Sequence, residues 1–202
     1  MAGRIRAVTV DDAAAIQAIY APYVANTIIS FEAAPPSVEE MAGRIKKTTA
    51  KYPWLVYEPE TVGGQRTIAG YAYASSHRER AAYQWSVDVS VYVDPAYQRR
   101  SIGRGLYTAL FDLLSAQGFV NAYAGIALPN AGSVGIHEAM GFEPVGIYRQ
   151  VGFKLDGWHD VGWWGLCLAE PKSNPQPPRP ITDFVNTPVW SAALERGLAL
   201  IR

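Results

Sequence analysis

The residues best placed to do chemistry lie in one stretch, Ser90 to Tyr107 (SVYVDPAYQRRSIGRGLY). A β-branched run, Val87, Val89, Val91 and Val93, ends at Asp94-Pro95. A basic loop with Arg99 and Arg100 then leads through Gly103, Arg104 and Gly105 into an amphipathic helix. The first turn of a helix leaves backbone N–H groups without partners and carries the positive end of the helix dipole. A strand, a donor-rich loop and a helix N-terminus in that order therefore form a cradle for an anion. Neither the phosphate-loop pattern G-x-x-x-x-G-K-S/T nor a strand followed directly by G-x-G-x-x-G is present. The predicted ligand is thus phosphate-bearing, but is neither gripped by a phosphate loop nor bound as a dinucleotide.

Such a cradle needs a sheet to hold it. Arg4 to Val8 reads as a short strand. A capping pair, Thr9 and Asp12, follows, then Ile16, Ile19, Tyr20, Tyr23 and Val24 at helical spacing. Ser37 and Glu40 open a second helix that runs toward Thr49. Strands are predicted over 54–58, 67–75, 83–93, 120–127, 144–149 and 161–168, with a turn at Gly63-Gly64. Helices are predicted over 103–117, stopped by Gly118, and 133–140, stopped by Gly141. The order β-α-α-β-β-β-α-β-α-β-β has crossover helices only in its later part, so the sheet is mixed and the class is α/β of the α+β type.

Residues 1–170 are read as one domain, and 171–202 as a tail rather than a second domain. The tail joins a proline-rich connector (PKSNPQPPRP) to a helix that starts at Thr187-Pro188 and carries Val189, Ala192, Leu194, Leu198 and Ile201. So short a helix needs a docking surface, either its own domain or a second copy of the chain.

The bulk numbers exclude several classes. The 202 residues suit one domain, and 49% hydrophobic residues with 12% aromatics allow a large core. Eighteen Lys and Arg balance eighteen Asp and Glu, which argues against a nucleic-acid partner. No stretch is long and apolar enough to span a membrane, and the N-terminal segment has no signal-peptide core, so a cytoplasmic protein is expected. The single cysteine, Cys167, cannot form an internal disulfide and, in its apolar surroundings, reads as a buried structural thiol.

Seven ordered segments carry a family resemblance: 52–56 (YPWLV), 81–93 (AAYQWSVDVSVYV), 98–110 (QRRSIGRGLYTAL), 116–119 (AQGF), 128–130 (LPN), 133–142 (SVGIHEAMGF) and 152–164 (GFKLDGWHDVGWW). On these the chain resembles the GNAT superfamily of acyl-coenzyme A-dependent N-acetyltransferases. Within it, the chain is similar to the phosphinothricin and methionine sulfoximine or sulfone acetyltransferase group. The resemblance implies a twisted, mostly antiparallel sheet, acetyl-CoA as cosubstrate, no metal, a small-molecule amine as acceptor and a homodimer. Attack would be direct, in a ternary complex. Other acceptors, including a peptide N-terminus, and a non-catalytic acyl-CoA-binding module are the alternatives.

The resemblance also implies roles for residues. Val91, Tyr92 and Val93 would pair with the pantetheine arm. Gln98, Arg99, Arg100, Ser101, Ile102, Gly103 and Arg104 would hold the pyrophosphate. Asn130 and Ser133 would flank the arm. The family's loop glycine is replaced by Ser101; a frame shifted to Arg100, Gly103 and Gly105 would restore the spacing, whereas Leu106 and Tyr107 favour the unshifted frame. The strand position that holds a glutamate in the group is Asp88, on the face opposite Val87 and Val89. It would take the amine's proton, through water because its side chain is shorter, or else it caps a donor or pairs with an arginine. His137 stands where many members place a tyrosine that protonates the leaving thiolate. A packed histidine is the competing reading, and His77 and His159 are weaker candidates. Arg78 and Arg80 would clamp the acceptor's anionic groups, with Phe31, Tyr83 and Trp85 as the pocket wall.

Overall fold

The computed structural model describes residues 3–60 and 67–202; the turn expected at Gly63-Gly64 lies outside them. The order is β1 (Arg4–Ala7), α1 (Ala13–Asn26), α2 (Val38–Thr49), β2 (Trp54–Glu58), β3 (Gly70–Ser76), β4 (Ser86–Val93), α3 (Ile102–Gln117), β5 (Asn121–Leu128), α4 (Ala131–Ala139), β6 (Glu143–Lys154), β7 (Gly157–Cys167) and α5 (Pro188–Leu198). Seven strands form one sheet in the order β1-β2-β3-β4-β5-β7-β6. Only β4 and β5 run parallel. The connection between them is α3, the crossover that a parallel pair requires.

Local chemistry explains the boundaries. Ser37 Oγ accepts from Glu40 N–H while Glu40 Oε2 accepts from Ser37 N–H, a reciprocal cap that starts α2. Gly118, at φ +95°, ends α3, and Phe119 N–H reaches back to Leu114 O at 3.0 Å. The strand expected from Tyr83 begins only at Ser86, because Ala81 to Tyr83 fold into a 3₁₀ turn.

Around β2 to β4, helices pack on both faces of the sheet. Leu106, Leu110, Leu113 and Leu114 of α3 cover Leu55, Ala72, Val87 and Val89. On the other face Ile16, Ile19 and Val24 of α1, with Met41 and Ile45 of α2, cover Trp54, Val56 and Tyr71. β2 lies between both layers and is buried at all five positions.

The tail helix α5 docks on α3 of its own chain. A Cβ on Gly105 would come within 2.6 Å of Gly197 O, so the two helices cross backbone to backbone. Trp190, Ala193 and Gly197 are buried, Leu194, Leu198 and Ile201 of the expected face pack against the same core, and of that face Val189 is exposed. The connector is strapped down by Trp85 Nε1, which donates to Gln176 O, and by Gln117 Nε2, which donates to Lys51 O and Arg179 O. Cys167, expected inside, is exposed. Along β7 it falls on the face opposite Trp164 and Leu166, at the strand end, where nothing covers it.

Candidate active site

The site begins where two strands part. Asp94 N–H donates to Ala69 O at 2.9 Å. Two residues at a time, Tyr92, Ser90 and Asp88 follow in register opposite Tyr71, Tyr73 and Ser75, so these residues turn their backbone groups toward β3. Val89, Val91 and Val93 turn theirs to the other edge. That edge meets β5 only as far as the pair Asp88–Tyr123. Beyond it β5 continues to Leu128 paired with β7 alone. Val89 N–H belongs to that last parallel pairing, so the C=O of Val89 and both the N–H and C=O of Val91 face a gap where a strand would lie. Val93 O is already used by the Tyr23 hydroxyl, which donates to it at 2.7 Å and receives a bond from Gln98 Nε2 at 3.3 Å.

Below the gap runs a groove of about 570 Å³. It is lined by every residue assigned above to the cofactor except Arg100, with Tyr23, Ile29, Tyr97, Gly132 and Ile136 added. Arg100 instead stacks on the Tyr97 ring, and its carbonyl accepts from Arg202 N–H. The backbone at Ser101 has the form that the unshifted frame's glycine would take. Ser101 is the N-cap of α3, at φ 60° and ψ 15°, the left-handed region that favours glycine, and Arg99 shares it at φ 64°. This backbone curls the loop amides into a concave nest. The first helical bond runs from Gly105 N–H to Ser101 O, so the amides of Ile102, Gly103 and Arg104 have no carbonyl one turn back. At Gly103 a Cβ would meet Ile136 Cδ1 at 2.7 Å, so the helix start presses close against α4.

On the opposite face of β4, Asp88 sits half-buried at the apex of the gap. Its Oδ1 lies 2.6 Å from His77 Nδ1. Burial pushes the Asp88 carboxyl above its ordinary range, while His77 and the charge of Arg78 pull it down. Arg78 is exposed and stands over the Trp163 ring at 5.6 Å. Tyr83 is exposed and meets the His77 ring edge-on at 6.1 Å. Phe31 lies further out, against Gly152 and the His159 ring. Arg80 caps the 3₁₀ turn from an exposed position. Trp85, expected in the pocket wall, shares the parity of Val87 and faces the connector instead, on the far side of the sheet.

His137 is buried under the gap. Nδ1 lies 2.7 Å from Ser133 O, so that nitrogen carries the proton; Nε2 then accepts from the Tyr107 hydroxyl at 3.0 Å. Burial lowers its pKa, which keeps the ring neutral. This geometry favours the packed histidine over the proton donor.

A second groove, about 670 Å³, lies beyond α1 and is lined by Arg4, Arg6, Asp12 and Glu58. Its charges are spent on one another: Arg6 pairs with both Asp12 and Glu58, and Arg4 with Glu58. The splayed strands and their nest are the better candidate. Residues 5–163 match the family described as the acetyltransferase (GNAT) domain. The chain belongs to the GNAT acetyltransferases. The resemblance is close along most of its length. It is 40% identical to a phosphinothricin N-acetyltransferase of Streptomyces viridochromogenes, over 89% of this chain and 95% of that one. It is 32% identical to an L-methionine sulfoximine/L-methionine sulfone acetyltransferase of Pseudomonas aeruginosa, over 87% of this chain and all of that one. Among solved structures, a GNAT phosphinothricin acetyltransferase from Sinorhizobium meliloti in complex with acetyl-CoA superposes with a TM-score of 0.79 at 31% identity, covering 90% of this chain and 99% of that one. Membership carries the reaction class, acetyl transfer from an acyl-coenzyme A to an amine.

Sequence reasoning did not name Ile29, Tyr123 or Trp163, although Trp163 lies in the segment 152–164 that carries the resemblance. Tyr123 had one available signal, its place one strand after the cradle helix, where a parallel neighbour of β4 must fall.

Proposed function

We propose that this GNAT enzyme moves the acetyl group of acetyl-CoA to the α-amine of a small amino-acid analogue of the phosphinothricin, methionine sulfoximine or methionine sulfone type, by direct attack in a ternary complex. The observation that carries the reading is the open edge of β4. It offers the unpaired C=O of Val89 and N–H and C=O of Val91 above the groove and a carboxylate, Asp88, at the apex on the other face. An extended amide chain such as pantetheine can complete that edge as a strand would, and the amides of 102–104 with Arg99 and Arg104 meet the pyrophosphate. The Val91 N–H is available to the carbonyl oxygen as negative charge grows on it. Asp88 supplies the negative charge that draws the proton from the acceptor's ammonium. Arg78, beside Asp88 and over Trp163, is the cation for the acceptor's carboxylate.

The likeness to the named relatives supports the acceptor class. A homodimer would form through the ribbon of β6 and β7, whose exposed Val145, Ile147, Val151, Phe153 and Trp158 leave an apolar surface on a chain of zero formal net charge. The cytoplasm suits a protein with one exposed, free cysteine.

The test is release of free thiol from acetyl-CoA against a panel of amines. Saturable release with phosphinothricin or methionine sulfone supports the proposal. Preference for a peptide N-terminus would move the acceptor class, and acetyl-CoA binding without turnover of any amine would leave a binding module.

A further inference from the structure

Asp88 does not face the acceptor alone. His77 follows β3 at the end where Ser75 pairs with Asp88. Its ring covers the apex of the gap, stacked on Tyr123 at 4.6 Å and 27°, and Tyr123 is the last β5 residue in register with β4. Trp163 and Tyr83 meet the ring edge-on at 6.0 and 6.1 Å. The side chain is 13% exposed, so it is reachable but held. A carboxylate oxygen 2.6 Å from Nδ1 demands a proton on that nitrogen, and the neutral ring then carries its lone pair on Nε2. Among the described residues the one hydrogen bond of this ring is the bond to Asp88. An oriented imidazole with one nitrogen on a carboxylate and the other free is the arrangement by which a histidine accepts protons at neutral pH.

We propose that His77 is the general base of the transfer and that Asp88 is its positioning residue, so the imidazole reaches where the shorter aspartate cannot. The inference rests on the acetyltransferase reading above. His77 Nε2 takes one proton from the acceptor's ammonium. The freed amine bonds to the thioester carbonyl carbon, and the carbon–sulfur bond breaks with its electron pair going to sulfur. The second amine proton leaves with that sulfur as free thiol, and the imidazolium returns its proton to water. The groups around the ring are Asp88 from β4, Tyr123 from β5, Tyr83 from the preceding turn and Arg78, whose Nη1 donates to His77 O. Of these, Asp88 is the one that touches a ring nitrogen.

The experiment measures kcat against pH for the full chain, with acetyl-CoA and an amine the wild type accepts, beside KM for acetyl-CoA and the melting temperature. For His77→Phe, kcat falls about 100-fold, KM for acetyl-CoA stays within about twofold, and the inflection of the wild-type profile near neutrality disappears. For Asp88→Asn kcat falls by less than in His77→Phe, because the base remains and only its orientation is weakened. Added imidazole restores part of the rate of His77→Ala, which a purely structural role would not allow. Wild-type kcat and profile in a folded His77→Phe, with a loss confined to Asp88→Asn, overturn the proposal and make Asp88 the base. If His77→Phe does not fold, a folded His77→Ala to which added imidazole restores no rate overturns it equally. No turnover of any amine by the wild type removes the acetyltransferase reading itself, and is told apart by that.

Discussion

The two faces of β4 are built from different materials. Toward α3 and α4 the cradle is backbone: two left-handed residues, three free helix amides and an unpaired strand edge. Toward the acceptor the apex is side chain: His77, Asp88, Tyr83, Tyr123 and Trp163, drawn from β4, β5, β7 and the chain after β3. A backbone site tolerates changes of side chain and fails when the chain path or its clearance changes. A side-chain site does the reverse. The cofactor face should therefore respond to glycines and supports, and the acceptor face to single truncations.

The largest expected effect removes the support behind the cradle. Trp190 of α5 is buried in the core beneath α3. Trp190→Ala is expected to cost about 3–5 kcal/mol, read by urea denaturation. At low temperature, where the variant stays folded, KM for acetyl-CoA should rise more than KM for the amine. Equal changes in both constants would show that α5 supports the two faces alike.

Next comes clearance. Gly103→Val would drive a branched side chain into Ile136 and the start of the groove. KM for acetyl-CoA should rise about tenfold, equivalent to about 1.4 kcal/mol, with kcat changed less. A drop in kcat at constant KM would place Gly103 on the chemistry rather than on binding.

This division also sets what could be read from the chain. The strand, basic loop and glycine-marked helix start of the cradle follow from local rules, whereas its lining was named through the resemblance; of the residues so named, all but Arg100 border the groove. The element order was legible for the same reason, since caps and periodicity are local. The acceptor face depends on register between strands far apart in sequence. Asp88 was found through resemblance, but the His77 contact across eleven residues and the turning of Trp85 toward the connector are tertiary facts. Hydrophobic spacing found Leu194, Leu198 and Ile201 of the α5 face, while the close crossing of Gly197 on Gly105 is a tertiary fact.

His137 sharpens the comparison from below, where it packs beneath both faces. Its neutral ring bridges Tyr107 and Ser133, so His137→Phe leaves the buried Tyr107 hydroxyl unpaired and should cost about 1–3 kcal/mol. The sign of its pH dependence is set by a folded-state pKa lowered by burial. The unfolded chain takes up the proton first as pH falls. The neutral ring's contribution is complete above the unfolded value of about 6.5 and is lost as pH drops through the lower folded value. Melting temperature between pH 7 and pH 5 should thus fall less steeply in His137→Phe than in the wild type. A kcat loss of 100-fold or more in a folded variant would restore the proton-donor role.

The smallest effect is the most specific to a backbone site. Ser101 holds a left-handed conformation that costs a residue with a Cβ about 1 kcal/mol relative to glycine. No described side chain is bonded to its hydroxyl as a helix cap, so the serine gains nothing visible for that cost. Ser101→Gly should relieve the strain and raise stability by about 0.5–1 kcal/mol, less the extra entropy glycine has in the unfolded chain. The nest amides stay where they are, so KM for acetyl-CoA should change less than twofold. If stability rises while KM for acetyl-CoA climbs severalfold, the Ser101 hydroxyl itself contacts phosphate, and the cradle is not made of backbone alone.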